Sequence, residues 1–354
     1  MIKEKPGAVI PCCHFPTTVI FVDDDEKFLA SLFCVLDHPV LIKTFSNPNE
    51  AEKFLIHEHH NTPFVKSWIS KLSNDLDDNP SRYTHLGVNF LAIHSLIFNN
   101  NPIRFQEIPI IVLDFDLGRN DINGIQVATH LRNALKPYGV DPLILMLTGQ
   151  ADATFGLDAL NKGIVNNFIL KDSVDYTEQL NAAINQLQHQ YFVALSKFIE
   201  QSLSINEISF FYSEEFNKIF NASLEEYSIC EYYLLDEHGS FLMLDEKGKV
   251  YWFVIQDEEQ TNEKWMVAKD LDAPQDIVNQ LKKRDIIYFA SPYDDPQFLS
   301  ENVDKDEWSP YLYPVKQTIK INGKTYYFAL AEPRSKINSL RKNFTSYRSY
   351  LRQN

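Results

Sequence analysis

Along the first half of the chain, apolar and polar positions follow two alternating rhythms. Short continuous apolar runs in "TVIFVDDD" (18–25), "VLIKTF" (40–45), "IPIIVLDFD" (108–116), "PLILMLTG" (142–149) and "NNFILKD" (166–172) predict buried strands. Between them the apolar spacing lengthens to three and four. That rhythm predicts helices in "EKFLASLFCVLD" (26–37), "GIQVATHLRNALK" (124–136), a stretch near 153–162 and "NPNEAEKFLIHEH" (47–59). The last begins with Asn47 or Asn49 as cap and Pro48 near its first turn. Strands buried on both faces and alternating with helices predict an α/β fold, a doubly wound five-stranded parallel sheet.

Two departures from the alternation stand out. Residues 58–107 hold two amphipathic patterns, "PFVKSWISKLSNDL" and "HLGVNFLAIHSLIF", joined by the polar "DDNPSRY", and predict a helical insertion. From Asp175 to about Leu203 a helical pattern runs without Gly or Pro, with Leu180, Ala183, Leu187, Tyr191, Ala194 and Phe198 on one stripe. Its span, about 43 Å at 1.5 Å per residue, exceeds what a small domain needs. It predicts a last helix of the first domain that continues into a second domain.

The remainder reads as a smaller α+β domain. "SEEFNKIFNASLEEY" and "PQDIVNQLKKR" are helical, and "ICEYYLL", "SFLML" and "VYWFVIQ" form a meander across the turns "DEHGS" and "DEKGK". "IIYFA" is a strand, and "VKQTIKINGKTYYFALA" is a hairpin with Asn-Gly at its tip. The aromatic residues of the meander (Tyr232, Tyr233, Phe241, Tyr251, Trp252, Phe253) read as core before pocket. Near the end, Ile337, Leu340, Phe344, Tyr347 and Leu351 make a helical seam. The organisation expected is thus an extension at 1–17, a first domain at 18–192 with its insertion, and a second domain at 193–354 with a basic helix at 334–352.

Composition adds limits. Hydrophobic residues at 44% and charged residues at 23% are an ordinary globular mixture. No apolar run approaches the ~20 residues of a membrane helix, and "MIKEKPGAVIPCCHF" lacks a secretory apolar core; a cytoplasmic protein with no membrane partner is expected. Cys12, Cys13, Cys34 and Cys230 imply no disulfide framework, and "CCH" at 12–14 finds no second pair to complete a metal site. Free thiols near a loose N-terminus are expected. The net charge of −15 opposes bulk attraction to nucleic acid or anionic lipid. Against it, the six basic residues from Arg334 onward (Arg334, Lys336, Arg341, Lys342, Arg348, Arg352) have no acid among them, which leaves −21 elsewhere.

The chemistry collects at strand ends, where open parallel sheets present ligands. The first strand ends in Asp23, Asp24 and Asp25, the third in Asp114 and Asp116, the fourth in Thr148 and the fifth in Lys171. Carboxylates converging on one point repel unless a cation intervenes, and hard oxygen ligands with room for water suit Mg²⁺. A lysine and a hydroxyl beside them supply what a phosphoryl group needs, which leaves Asp114 as a nucleophile for phosphoryl transfer. Asp25 and Asp121 read as a cap and a turn residue.

"VIFVDDDEKFL", "PIIVLDFDLG", "LILMLTG" and "FILKD", in this order, resemble the CheY-like receiver domain of two-component response regulators over about residues 18–192, the insertion excluded. The resemblance implies that Asp23, Asp24, Asp114 and the backbone carbonyl of Asp116 hold Mg²⁺ and that a histidine kinase or phosphotransfer protein phosphorylates Asp114. It further implies that Thr148 hydrogen-bonds the phosphoryl oxygens, Lys171 balances charge and Phe168 is an aromatic switch. The chain departs from the pattern at Gly118 and Asp172, where proline is common, and in a longer loop after Asp114. These departures, with Gln150 and the Asp116 side chain, bear on phosphoryl lifetime. The insertion and the unclassified second domain resemble in layout the α-hydroxyketone quorum-sensing response regulators of Legionella-like bacteria.

Nothing in 204–354 spells a helix-turn-helix, a cyclase signature or a phosphate loop. The expected function is a phosphorylation-dependent regulator, not an enzyme beyond its own phosphorylation, that acts by homodimerisation or protein contact on gene expression or quorum sensing. The alternatives are a DNA-binding regulator using the basic tail and a second domain that binds a nucleotide or other small molecule.

Overall fold

The computed structural model describes residues 9–37, 40–60, 84–85, 88–89, 102–118, 123–138, 141–149, 152–203, 211–236, 238–290, 308–333 and 344–352. In chain order the elements begin with β1 (Cys13–His14), β2 (Thr18–Val22), α1 (Glu26–Val35), β3 (Leu41–Phe45), α2 (Pro48–His60), β4 (Thr84–His85) and β5 (Val88–Asn89). Next come β6 (Ile110–Asp114), α3 (Gly124–Leu135), β7 (Leu143–Thr148), α4 (Ala153–Asn161), β8 (Asn167–Leu170) and α5 (Tyr176–Leu203). After them lie α6 (Glu214–Glu226), β9 (Ile229–Leu234), β10 (Phe241–Asp245), β11 (Val250–Asp257), α7 (Glu258–Asp270) and α8 (Gln275–Lys283). The last are β12 (Ile286–Tyr288), β13 (Leu312–Pro314), β14 (Gln317–Ile321), β15 (Lys324–Ala331) and α9 (Tyr347–Leu351).

Contacts divide the chain into two units. One comprises Pro16–Ser67 and Ile103–Ala194, the other Met1–Phe15, Trp68–Pro102 and Leu195–Asn354. In the first, five parallel strands lie in the order β3-β2-β6-β7-β8, the flavodoxin-like arrangement. Successive residues of each central strand face opposite sides, so a continuous apolar run feeds two cores at once. Ile20, Val22, Ile111, Leu113, Ile144 and Met146 meet Leu55 of α2, Val127 and Leu131 of α3 and Ala159 of α4. Val19, Phe21, Val112, Leu145 and Leu147 meet Leu29 and Leu32 of α1 and Leu180, Ile184 and Leu187 of α5. Asn47 starts α2 as the cap expected, its side chain accepting from Asn49 N–H at 3.0 Å with Pro48 in the first position. Because the strands are parallel, the ends of β2, β6, β7 and β8 emerge on one edge.

The second unit is built on an antiparallel sheet in the order β1-β9-β10-β11-β15-β14, with β12 paired to β13. The meander β9-β10-β11 and the β14–β15 hairpin fall where the sequence predicts them. Asn322 and Gly323 both take positive φ, +50° and +82°, as the two-residue turn requires. Tyr232, Tyr233, Phe241, Trp252 and Phe253 are buried, so the aromatic meander is core. Phe220 of α6 sits at its centre, edge-on to Tyr232, Phe241 and Phe253 at 5.0, 4.9 and 5.2 Å.

Three expectations need correction, and one helix was not foreseen. Residues 9–15 near the N-terminus are not loose: β1 pairs with β9, Cys12 and Cys13 are buried, and Cys12 N–H donates to Ser196 Oγ at 2.7 Å. Apolar Ile10 and Phe15 around the cysteines give this segment something to bury. Helix α7 has no counterpart in the sequence reading. The seam at 337–351 is not one helix, since Ser346 is extended and accepts from Ser349 N–H to cap the short α9; residues 334–343 lie outside the described residues. Finally, the second helix expected in the insertion overlaps a β4–β5 ladder that pairs His85 with Val88; the rest of both insertion helices lies outside the described residues. No described helix is long and apolar enough to cross a membrane.

Candidate functional site

The edge formed by the ends of β2, β6, β7 and β8 gathers the charged residues that the strands themselves cannot bury. Asp23 and Asp114 are both buried, while Asp24 is exposed. Lys171, just past β8, bridges the two buried acids, its Nζ 2.7 Å from Asp23 Oδ2 and 2.9 Å from Asp114 Oδ2. One carboxylate oxygen from each of Asp23, Asp24 and Asp114 lies within 4.8 Å of the others.

Charge and burial compete here. Burial pushes the Asp114 carboxyl up to about 6, and the hydrogen bond and charge of Lys171 offset only part of that rise. For Lys171 burial pulls the other way, but hydrogen bonds to Asp23 and Asp114 outweigh it and hold the ammonium above its ordinary value. The lysine is therefore a fixed positive charge, and Asp114 is an anion at neutral pH.

The neighbouring acids divide by role. Asp25 caps α1, its Oδ1 accepting from Lys27 N–H at 2.9 Å and Phe28 N–H at 3.2 Å. Asp25 N–H in turn donates to Asp23 Oδ1 at 2.9 Å, which fixes that carboxylate. The Asp116 side chain is exposed and accepts from Gly118 N–H at 3.1 Å, so it stands apart from the three-acid cluster. Gly118 has φ +60°, and a Cβ there would meet Asp24 Oδ2 at 2.0 Å. Only glycine leaves Asp24 in that place.

Thr148 is fully buried at the end of β7, its hydroxyl donating to the Gly149 carbonyl over a long 3.3 Å, while its own carbonyl accepts from Lys171 N–H at 2.9 Å. Among the described residues, nothing stands within 4 Å of where a Gly149 side chain would begin. Phe168 is half-buried against Gly156 of α4, where a Cβ would come within 3.1 Å of its ring. Asp121 and Gln150 lie outside the described residues. Two residues that the sequence did not single out also border the cluster. The Phe28 ring centroid lies 4.9 Å from Lys171 Nζ, and Tyr176 packs on Phe28 with centroids 6.5 Å apart. Both sit in helical stripes where aromatic residues ordinarily read as core.

Five parallel strands in this order, with acids following the first and third strands of the sheet in chain order and a lysine bridging them, make a receiver-like, flavodoxin-like fold. The chain is similar along nearly all its length to a solved structure, the Legionella pneumophila response regulator LqsR. That structure is 26% identical and superposes with a TM-score of 0.69, covering 98% of this chain and 96% of that one. Two further structures cover about half of this chain: a receiver domain from Clostridium thermocellum (13% identical, 50% of this chain and 98% of that one, TM-score 0.31) and the receiver domain of Francisella response regulator 1452 (14%, 49% and 98%, TM-score 0.29). No family model and no curated protein matches the sequence.

Proposed function

We propose that the protein is a phosphorylation-dependent two-component response regulator whose Asp114 accepts a phosphoryl group from a histidine kinase or phosphotransfer protein. One observation carries the reading: Lys171 spans Asp23 and Asp114 at 2.7 and 2.9 Å beside a third carboxylate, Asp24. Three acids around one point need more positive charge than a single lysine provides. In the proposed reaction an Asp114 carboxylate oxygen attacks phosphorus. The new O–P bond forms as the bond to the donor's imidazole nitrogen breaks, and its electron pair leaves with the donor. Lys171 offers N–H donors to the phosphoryl oxygens, and the Thr148 hydroxyl exchanges its long bond to Gly149 for one of them. Phe168 is the candidate switch, leaving its place on Gly156 as Thr148 moves.

The acids fit a small hard cation. Asp23, Asp24, Asp114 and the Asp116 carbonyl would hold Mg²⁺, which neutralises the phosphoryl oxygens when bound. Gly118→Ala is then expected to weaken Mg²⁺ binding about tenfold or more, because its Cβ displaces Asp24. Calorimetric titration with MgCl₂ checks this, and an unchanged affinity would count against Asp24 as a ligand.

The output is proposed to act by homodimerisation or protein contact, and the resemblance in layout to the α-hydroxyketone quorum-sensing regulators supports an effect on gene expression in that setting. The decisive test is incubation with acetyl phosphate and Mg²⁺ followed by mass spectrometry. One added phosphoryl group is expected, on the peptide that holds Asp114. Absence of the adduct with both acetyl phosphate and a competent kinase would reduce the site to an inert charge cluster.

A further inference from the structure

The second unit carries an open cleft that the proposed transfer does not use. Its volume is about 610 Å³, in the range of small-molecule sites. One wall is the turn from Asp245 to Lys249 between β10 and β11, and the other is the segment from Phe344 to Ser349. Arg348 N–H donates to the Glu246 carbonyl at 3.0 Å and ties the two walls together. None of the rings packed edge-on against Phe220 lines the cleft, so it lies outside that aromatic cluster.

The walls favour an anion. Asp245 is the one acid among the lining residues, and its Oδ1 already accepts from Lys247 N–H and Lys249 N–H at 2.9 and 2.8 Å. Two ammonium groups stand against it. Among the described residues Lys247 has no ion-pair partner. Lys249 Nζ lies 5.2 Å from the Tyr251 ring centroid, and its ion pair is to Glu332, which does not line the cleft. Both side chains of that pair are exposed, so an anion in the cleft can take the ammonium over at little cost.

Hydroxyls and a ring complete the lining. Ser349 N–H donates to Ser346 Oγ at 3.2 Å, and one of the two serine hydroxyls donates to the other over 2.9 Å. The remaining hydroxyl proton is left for an acceptor. The Phe344 ring lies against the backbone of Gly248, whose φ is +78°, and a Cβ at 248 would come within 2.4 Å of ring atom Cε1. Only glycine permits that approach. Two cations and a spare hydroxyl beside a flat apolar wall suit a molecule with a phosphate at one end and a ring at the other.

We infer that this cleft binds a nucleoside monophosphate, its phosphate held by Lys247, Lys249 and the serine hydroxyls and its base laid along Phe344. The inference goes beyond the receiver reading and stands apart from it: the second unit has a ligand input of its own beside Asp114.

The test is equilibrium dialysis of the full chain, without Mg²⁺ or phosphodonor, against AMP, GMP, CMP and UMP. At least one is expected to bind with a Kd of about 0.1 mM or tighter. The matching nucleoside and inorganic phosphate should each bind about tenfold more weakly or worse. Replacing both lysines, Lys247→Ala with Lys249→Ala, should weaken the nucleotide about tenfold or more while the unfolding midpoint stays at the wild-type value. Should the double substitution lower that midpoint, Lys247→Gln at its exposed position decides in its place. Binding by none of the four at millimolar concentration, or binding that the lysine substitutions leave unchanged, overturns the proposal. Inorganic phosphate that binds as tightly as the nucleotides also overturns it, reducing the cleft to a bare anion site. Labelling of Asp114 is a separate measurement, so either reading can fail alone.

Discussion

Asp114→Asn is expected to carry no phosphoryl adduct under any donor, and in metal-free buffer near neutral pH to be more stable than the wild type. The first effect follows from chemistry: a carboxamide offers no anionic oxygen to attack phosphorus, so the added mass seen by spectrometry should vanish. The second follows from the burial of Asp114, which raises its carboxyl from 3.8 to about 6 in the fold. Between those values the native state holds more proton than the unfolded chain. The stability this group contributes is therefore present in full below about pH 4 and is lost as pH rises through 6. At 1.36 kcal/mol per unit the ceiling is about 3 kcal/mol, and about 1–3 kcal/mol is a fair range once the lost Lys171 contact is counted. Unfolding of both proteins in EDTA should show the variant ahead at pH 8 and the gap closing by pH 4. A gap independent of pH would mean that the site does not strain its own nucleophile.

Phe220→Ala is expected to cost about 3–5 kcal/mol and to leave labelling of Asp114 intact. Phe220 is fully buried and edge-on to three aromatic rings, a geometry that adds to its area burial. Trp252, Trp265 and Trp308 all belong to the same unit, so urea unfolding followed by tryptophan fluorescence reads the loss directly. The result bears on function. A large loss confirms that these rings hold the second unit together, whereas a loss below 1 kcal/mol would describe a loose aromatic cavity and favour the small-molecule alternative.

How much of this was legible beforehand depends on whether burial leaves a mark on residue order. The five parallel strands were legible because a strand buried on both faces has little choice but a run such as Ile-Ile-Val-Leu, and an acid directly after such a run is conspicuous. Asp23, Asp114 and Lys171 were found that way. Helix α7 was not, because "EEQTNEKWMVAKD" buries little beyond Thr261 and Ala268 and shows no apolar stripe. Its one advance sign was the capping box, in which Asp257 accepts from Gln260 N–H and the Gln260 side chain from Asp257 N–H, both at 2.9 Å. The seam at 337–351 misled in the opposite direction: its spacing suits a helix, yet Ser346 makes a better cap than interior residue. Tyr176 escaped notice because its partner Phe28 lies far away in sequence and meets it only once the sheet has closed.

The place of β1 has a practical consequence. Cys13 and His14 extend the sheet of the second unit, where Leu234 N–H donates to the Cys12 carbonyl at 2.7 Å, yet Pro16–Ser67 and Ile103–Ala194, which follow β1 in the chain, make the other unit. One scissor cut cannot therefore harvest either half. A fragment starting after residue 193 would leave β9 as a raw border inviting another strand, and grafting this receiver onto a foreign partner, or the reverse, calls for more than one splice point.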